Sequence, residues 1–136
     1  MTQELSVEQK AHLGRIAAKQ FLSITDKWQL TDDERRILAG AATRTTISTW
    51  RKRVKKLEEL QLGNDTYERL ICIANIERSL EHNQIPEPDD IAALIREPKD
   101  DLGYHSLLEN MLNGKVIDLY QTKDYIDQKR CIETPL

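Results

Sequence analysis

The sequence predicts an all-α fold, and its periodicity, composition and capping residues all point that way. Apolar residues recur at i, i+3 and i+4 along the chain, and no alternating run of Val, Ile and Thr marks a strand. Five Gly and four Pro in 136 residues leave little turn chemistry for a many-stranded sheet. The patterns Ser6-x-x-Gln9 and Thr31-x-x-Glu34 stand in front of apolar-periodic runs, as capping boxes do at helix starts. With 39% hydrophobic and 32% charged residues, the chain has the size of one domain, or of two small ones tightly joined, around a modest core.

Each element follows from local signals. Ser6 caps a first helix over about residues 7–25, with Leu13, Ile16, Ala17, Phe21 and Ile24 as its stripe. Thr31 and Glu34 open a short second helix with Ile37 and Leu38 on its apolar edge, and Gly40 breaks it. Gly40, Ala41 and Ala42 are small enough for two helices to approach closely, and Thr43 is the next N-cap. The third helix puts Ile47, Trp50, Val54 and Leu57 on one face and is expected to reach about Gln61. The turn of residues 62–65 follows. A long helix is expected over residues 65–83, with Tyr67, Leu70, Ile71, Ala74, Ile76 and Leu80 on a broad apolar face, ended by Ile85-Pro86-Glu87-Pro88. Pro88 suits the first turn of a short helix that Pro98 ends. Ser106 caps a short piece stopped at Asn113-Gly114, and residues 115–129 give one or two final helices. Trp28 is expected to pack the first helix onto the next two.

Charge divides the chain. Residues 35–56 hold eight Lys or Arg and no acid, whereas residues 58–136 hold 17 acidic and 8 basic side chains, within a net charge of −3. A basic helix with an anchored inner face and a polar outer one, set behind a tight turn, is the helix-turn-helix arrangement that reads a major groove. Two domains are therefore expected: residues 1–62, binding DNA, and residues 63–136. Arg44, Thr45, Ser48, Thr49 and Lys52 are the candidate base-reading face, because Arg grips guanine in bidentate fashion and Thr or Ser meets base edges and thymine methyls. Arg35, Arg36, Arg51, Arg53, Lys55 and Lys56 are placed to reach phosphates. Each of these residues also fits an ordinary solvated helix face.

Other classes find little support. No apolar run approaches the ~20 residues of a bilayer span, and the N-terminus lacks the apolar core of a signal peptide, so the cytoplasm is expected. Cys72 and Cys131 form no metal or disulfide pattern, and Cys72 reads as a buried thiol. His12, His82 and His105 have no partner at ligand spacing, no nucleophile stands beside a base, and no glycine loop cradles phosphate. Neither an enzyme, a metal nor a cofactor is expected.

The order of these pieces resembles the bacterial Xre/MbcA/ParS antitoxins over about residues 28–131. Trp28-x-Leu30-Thr31-x-x-Glu34, Leu38-Ala39-Gly40-Ala41 and Arg44-Thr45-Thr46-Ile47-Ser48-Thr49-Trp50-Arg51 are similar to that family's N-terminal helix-turn-helix. ERLICIANIERSLEH, IAALIREPKDDLGYHSLLENMLNG and VIDLYQTKDYID look like its later helices. Leu94 stands where the family has a Trp before its Pro, and Leu102-Gly103-Tyr104 replaces a Phe-Gly-Gly. Both changes alter the surface expected to meet a toxin. The resemblance implies a small helical toxin-binding domain at residues 63–136 that occludes a cognate toxin, commonly of the NAD-consuming RES class. It also implies repression of the chain's own operon by the helix-turn-helix. The implied toxin contacts are Leu102, Gly103, Tyr104, Ser106, Leu107, Met111, Tyr125, Lys129 and Arg130. A homodimer is expected, because two copies cover two half-sites. The alternative is a stand-alone helix-turn-helix transcriptional regulator with no toxin partner.

Overall fold

The computed structural model describes residues 6–41, 43–82 and 88–133, the side chains of residues 88–90 and 129–133 excepted. Among the described residues the chain is all-helical, with no strand beyond an isolated bridge between Lys99 and His105. α1 (Val7–Lys27) starts at the expected box. Ser6 Oγ accepts from the Gln9 amide at 3.1 Å, and Gln9 Oε1 accepts from the Ser6 amide at 2.9 Å. α2 (Asp32–Ala39) starts at the Thr31–Glu34 box and ends where Gly40 takes φ 67°. α3 is Arg44–Lys55. Thr43 holds the extended backbone of an N-cap before it, but its side chain makes no capping hydrogen bond. Ala42 lies outside the described residues.

α3 stops at Lys55, six residues before the expected end. Leu57 turns to φ 58°, and its carbonyl accepts from Arg15 Nη1 at 2.8 Å. Arg53 Nη1 donates to the Glu59 carbonyl at 3.0 Å, and the Leu60 amide donates to the Ala11 carbonyl at 3.1 Å. The chain is thereby drawn back onto α1. Leu57 ends 72% exposed, so it does not belong to the inner face of α3. Leu60 crosses α1 at Gly14, where an added Cβ would lie 2.0 Å from the Leu60 carbonyl oxygen.

α4 (Asn64–His82) is the central helix, packed against α1, α2 and α7. The expected Ile85–Pro88 stop falls largely outside the described residues. α5 (Pro88–Arg96) and a 3₁₀ turn (Asp100–Leu102) lead to α6 (Leu107–Met111), which Ser106 and Glu109 open with a further capping box. Gly114, at φ 90°, precedes α7 (Val116–Glu133), a single helix. Arg69 of α4 ties the halves together. Its Nη1 donates to the Gly114 carbonyl at 2.8 Å and its Nε to Asp65 at 2.9 Å, while the same side chain lies against Gly40.

One apolar cluster runs through the molecule, from Ala17, Phe21, Trp28, Leu38 and Ile47 to Ile73, Ile76, Leu80, Met111 and Leu119. It crosses the boundary expected between residues 62 and 63, which lies in the α3–α4 connection. Trp28 is fully buried in it. Ile16, Ile71, Ile117 and Tyr120, read as apolar positions, are instead exposed. Cys72 is buried as expected, and burial pushes its thiol above the usual range, so it stays protonated at neutral pH. No described helix is long and apolar enough to cross a membrane.

Candidate nucleic-acid interface

α3 is held by its inner face. Ile47 is fully buried and Trp50 nearly so, with the Trp50 ring edge-on to Phe21 of α1 at 6.0 Å between centroids. Val54 packs on the edge of the same cluster. The outer face is open: Arg44, Thr45, Ser48, Thr49, Lys52, Lys55 and Lys56 are all exposed. The structure therefore brings the five expected base-reading side chains together on one solvent-facing surface. Beside it, Thr43, Thr45, Thr49, Trp50, Arg53 and Leu60 line an open groove of about 430 Å³.

The cations are not equivalent. Arg44, Lys52, Arg53, Lys55 and Lys56 make no ion pair among the described residues, Arg53 being held only by the Glu59 carbonyl. Arg36 pairs with Asp33 at 3.0 Å, one helical turn away. Arg51 pairs with Asp32 at 2.7 Å. Arg35 reverses its expectation: it is only 6% exposed and reaches no phosphate. Its Nε donates to Thr25 Oγ1 at 2.8 Å, its Nη1 to Asp32 at 2.9 Å, and its Nη2 to Asp26. Thr25 Oγ1 in turn donates to the Phe21 carbonyl at 2.8 Å. A buried guanidinium needs such partners, and these spend its donors inside the fold.

Asp32 is the residue the sequence reading missed. Its Oδ2 faces Arg51 of α3 and its Oδ1 faces Arg35 of α2. The Arg51 guanidinium holds its carboxyl below the usual range, with Arg35 adding to the effect, and Asp32 raises Arg51 in return. The i,i+3 spacing to Arg35 was visible in the sequence; the tie to Arg51, 19 residues away, was not.

The second candidate surface is only partly a surface. Ser106, Leu107 and Met111 are 2%, 3% and 1% exposed, so they belong to the core and offer a partner no contact area. The Ser106–Glu109 box opens α6, and Leu107 and Met111 pack in the apolar cluster. Gly103 and Tyr104 do protrude, Tyr104 being 73% exposed at φ 68°, and Leu102 is half-buried. Tyr125 of α7 is half-buried and donates to Asp101 at 2.9 Å, which fixes the loop to α7. The Lys129 and Arg130 side chains lie outside the described residues. Among the described residues no group of His, Cys, Asp and Glu could hold a metal ion.

No family model matches the chain. It is 35% identical over 112 residues to the Uncharacterized protein y4oB of Sinorhizobium fredii, a match covering 81% of each chain.

Proposed function

We propose that this chain, which belongs to the family of y4oB, binds duplex DNA through a helix-turn-helix formed by α2 and α3, represses its own operon, and occludes a cognate toxin with its second half. One observation carries the DNA reading. The inner face of α3 is anchored by Ile47 and Trp50, while Arg44, Thr45, Ser48, Thr49 and Lys52 are exposed together opposite it. An α-helix so presented has the side chains and the clearance to enter a major groove. Antitoxin activity against a RES-class toxin is carried by the resemblance in the second half, with the protruding loop around Gly103 and Tyr104 as the contact that remains open. Exposed Ile71, Ile117 and Tyr120 on α4 and α7 support a homodimer built outside the DNA-reading face.

The unpaired cations give the reading a number. Five of the eight, Arg44, Lys52, Arg53, Lys55 and Lys56, predict a slope of about −4.5 for log K against log salt per protomer; engagement of all eight would give about −7. Arg44→Ala should weaken binding to the duplex upstream of the gene by about 1–3 kcal/mol and blur base preference. Titration by fluorescence anisotropy against upstream and scrambled duplexes measures both. Equal affinity of Arg44→Ala and the parent for the upstream duplex would reject this face as the reader. Co-purification with the product of the neighbouring gene tests the toxin partner.

A further inference from the structure

α3 is tied to the rest of the molecule by a polar relay as well as by its apolar face. The relay begins in α1, where Thr25 and Asp26 hold the buried Arg35 of α2. Arg35 fixes Asp32 Oδ1 at 2.9 Å, and Asp32 Oδ2 holds Arg51 of α3 at 2.7 Å. Both carboxylate oxygens are engaged, one of them by a guanidinium that Thr25 and Asp26 also hold. Asp32 is therefore a fixed point relative to α1 and α2, and Arg51 is the point at which α3 is pinned to it. Arg51 lies one turn from Ser48 and Lys55, at the border of the exposed face, with its side chain 40% exposed. A rotation of α3 about its axis would have to stretch or break this contact. Base-edge recognition is the function most sensitive to such a rotation, because hydrogen bonds to bases are directional whereas phosphate contacts are not.

We propose that Asp32 and Arg51 are positioning residues for sequence reading: their ion pair sets the rotation of α3, and Arg51 is not itself a phosphate ligand. The inference rests on the DNA-binding reading above. It separates two quantities a simple phosphate contact would move together. Loss of the pair lowers preference for the correct sequence and leaves general affinity in place.

The test compares the parent, Asp32→Asn, Arg51→Gln and the double variant on the upstream duplex and a scrambled duplex of equal length, across a range of salt. Each single variant is expected to lower the upstream-to-scrambled affinity ratio by about tenfold, as the loss of one good base-edge contact would. Arg51→Gln should leave scrambled-duplex affinity and its salt slope unchanged. The double variant should be no worse than either single one, since both break one contact. Scrambled-duplex affinity also reports folding. Should Asp32→Asn lose it together with helical circular dichroism, Arg51→Gln, at the surface, decides alone. Arg51→Gln weakening both duplexes alike, with the slope shallower by about one, would make Arg51 an ordinary phosphate contact and overturn the proposal. An unchanged ratio in Arg51→Gln would overturn it too. A parent that does not prefer its upstream duplex would remove the DNA reading and this inference with it, whereas a preference retained by every variant removes the inference alone.

Discussion

Glu77 brings a carboxylate into the contact between α1 and α4, where it is 5% exposed. Burial pushes its carboxyl above the ordinary range, against the pull of Lys27 and the Trp28 indole and with help from Glu81. Neither Glu77 Oε2 nor Trp28 Nε1 reaches a well-formed hydrogen bond. A carboxyl raised on folding binds more protons in the native state than in the unfolded one, so stability falls as pH rises from about 4.5 through its higher folded value. Glu77→Gln keeps the shape and removes the buried charge. It should raise the melting temperature by about 2–5 °C near neutral pH, with the gain shrinking toward pH 4.5. Thermal denaturation followed by circular dichroism at the two pH values checks this, and a gain independent of pH would point to packing instead of charge. Arg35 is the opposite case, a buried charge fully supplied with partners. Nothing in helix periodicity alone separates the two. Helix periodicity puts a residue near a face; how a charge fares once buried depends on other helices, which supply Thr25 and Asp26 to Arg35 and no well-formed hydrogen bond to Glu77 Oε2.

Helix starts were legible in the sequence and helix ends less so, because a capping box is local and a chain reversal is not. Ser6–Gln9 and Thr31–Glu34 open α1 and α2 where their spacing placed them. The end of α3 depends on Arg15 and Ala11, more than 40 residues earlier, which receive Leu57 and Leu60. The same contact gives Gly14 its role. By periodicity it is a weak helix residue in α1; in the fold it is the gap through which the Leu60 backbone passes. Gly14→Ala should therefore cost about 3 kcal/mol, since the added methyl meets a backbone oxygen that cannot swing aside. Gly40→Ala meets the Arg69 side chain first, at 2.7 Å from Nε, but that side chain is tethered at Asp65 and Gly114 and the backbone is left-handed. About 1–3 kcal/mol is expected there. Gly63→Ala, with nothing within 4 Å, should stay within about 0.5 kcal/mol of the parent. Urea denaturation of the three variants ranks them; Gly14→Ala as stable as Gly63→Ala would show that the α3–α4 connection moves freely over α1.

At the scale of the whole molecule, the acidic half and the basic helix share one apolar cluster. The change of charge near residue 58 is a real feature of the sequence, and with the turn after it suggested a domain boundary between residues 62 and 63. Charge, however, records what the surface faces, and the core is what decides folding units. α4 meets α1 and α2 with one side and α7 with another, so its buried residues Ile73, Ile76 and Leu80 need cover from both halves. Removal of α1–α3 would expose that side of α4, together with Glu77, and cut the Arg69 anchor off from Gly40. Burying a single Ile or Leu is worth about 1.5–3 kcal/mol, and a domain of this size has a net stability of roughly 5–15 kcal/mol, so the loss of a few such contacts removes the margin. A fragment of residues 63–136 should therefore lack a cooperative thermal transition by circular dichroism and bind an exposed-surface dye, while the full chain melts in one step. A cooperative melt of the fragment would mean that α4–α7 stand alone, and the proposed toxin occlusion could then be assayed apart from the proposed DNA binding. If the fragment does not fold, a partner that binds the second half also stabilises the α1 and α4 contact on which α3 rests. The proposed toxin binding and the proposed DNA reading would then be coupled through one core.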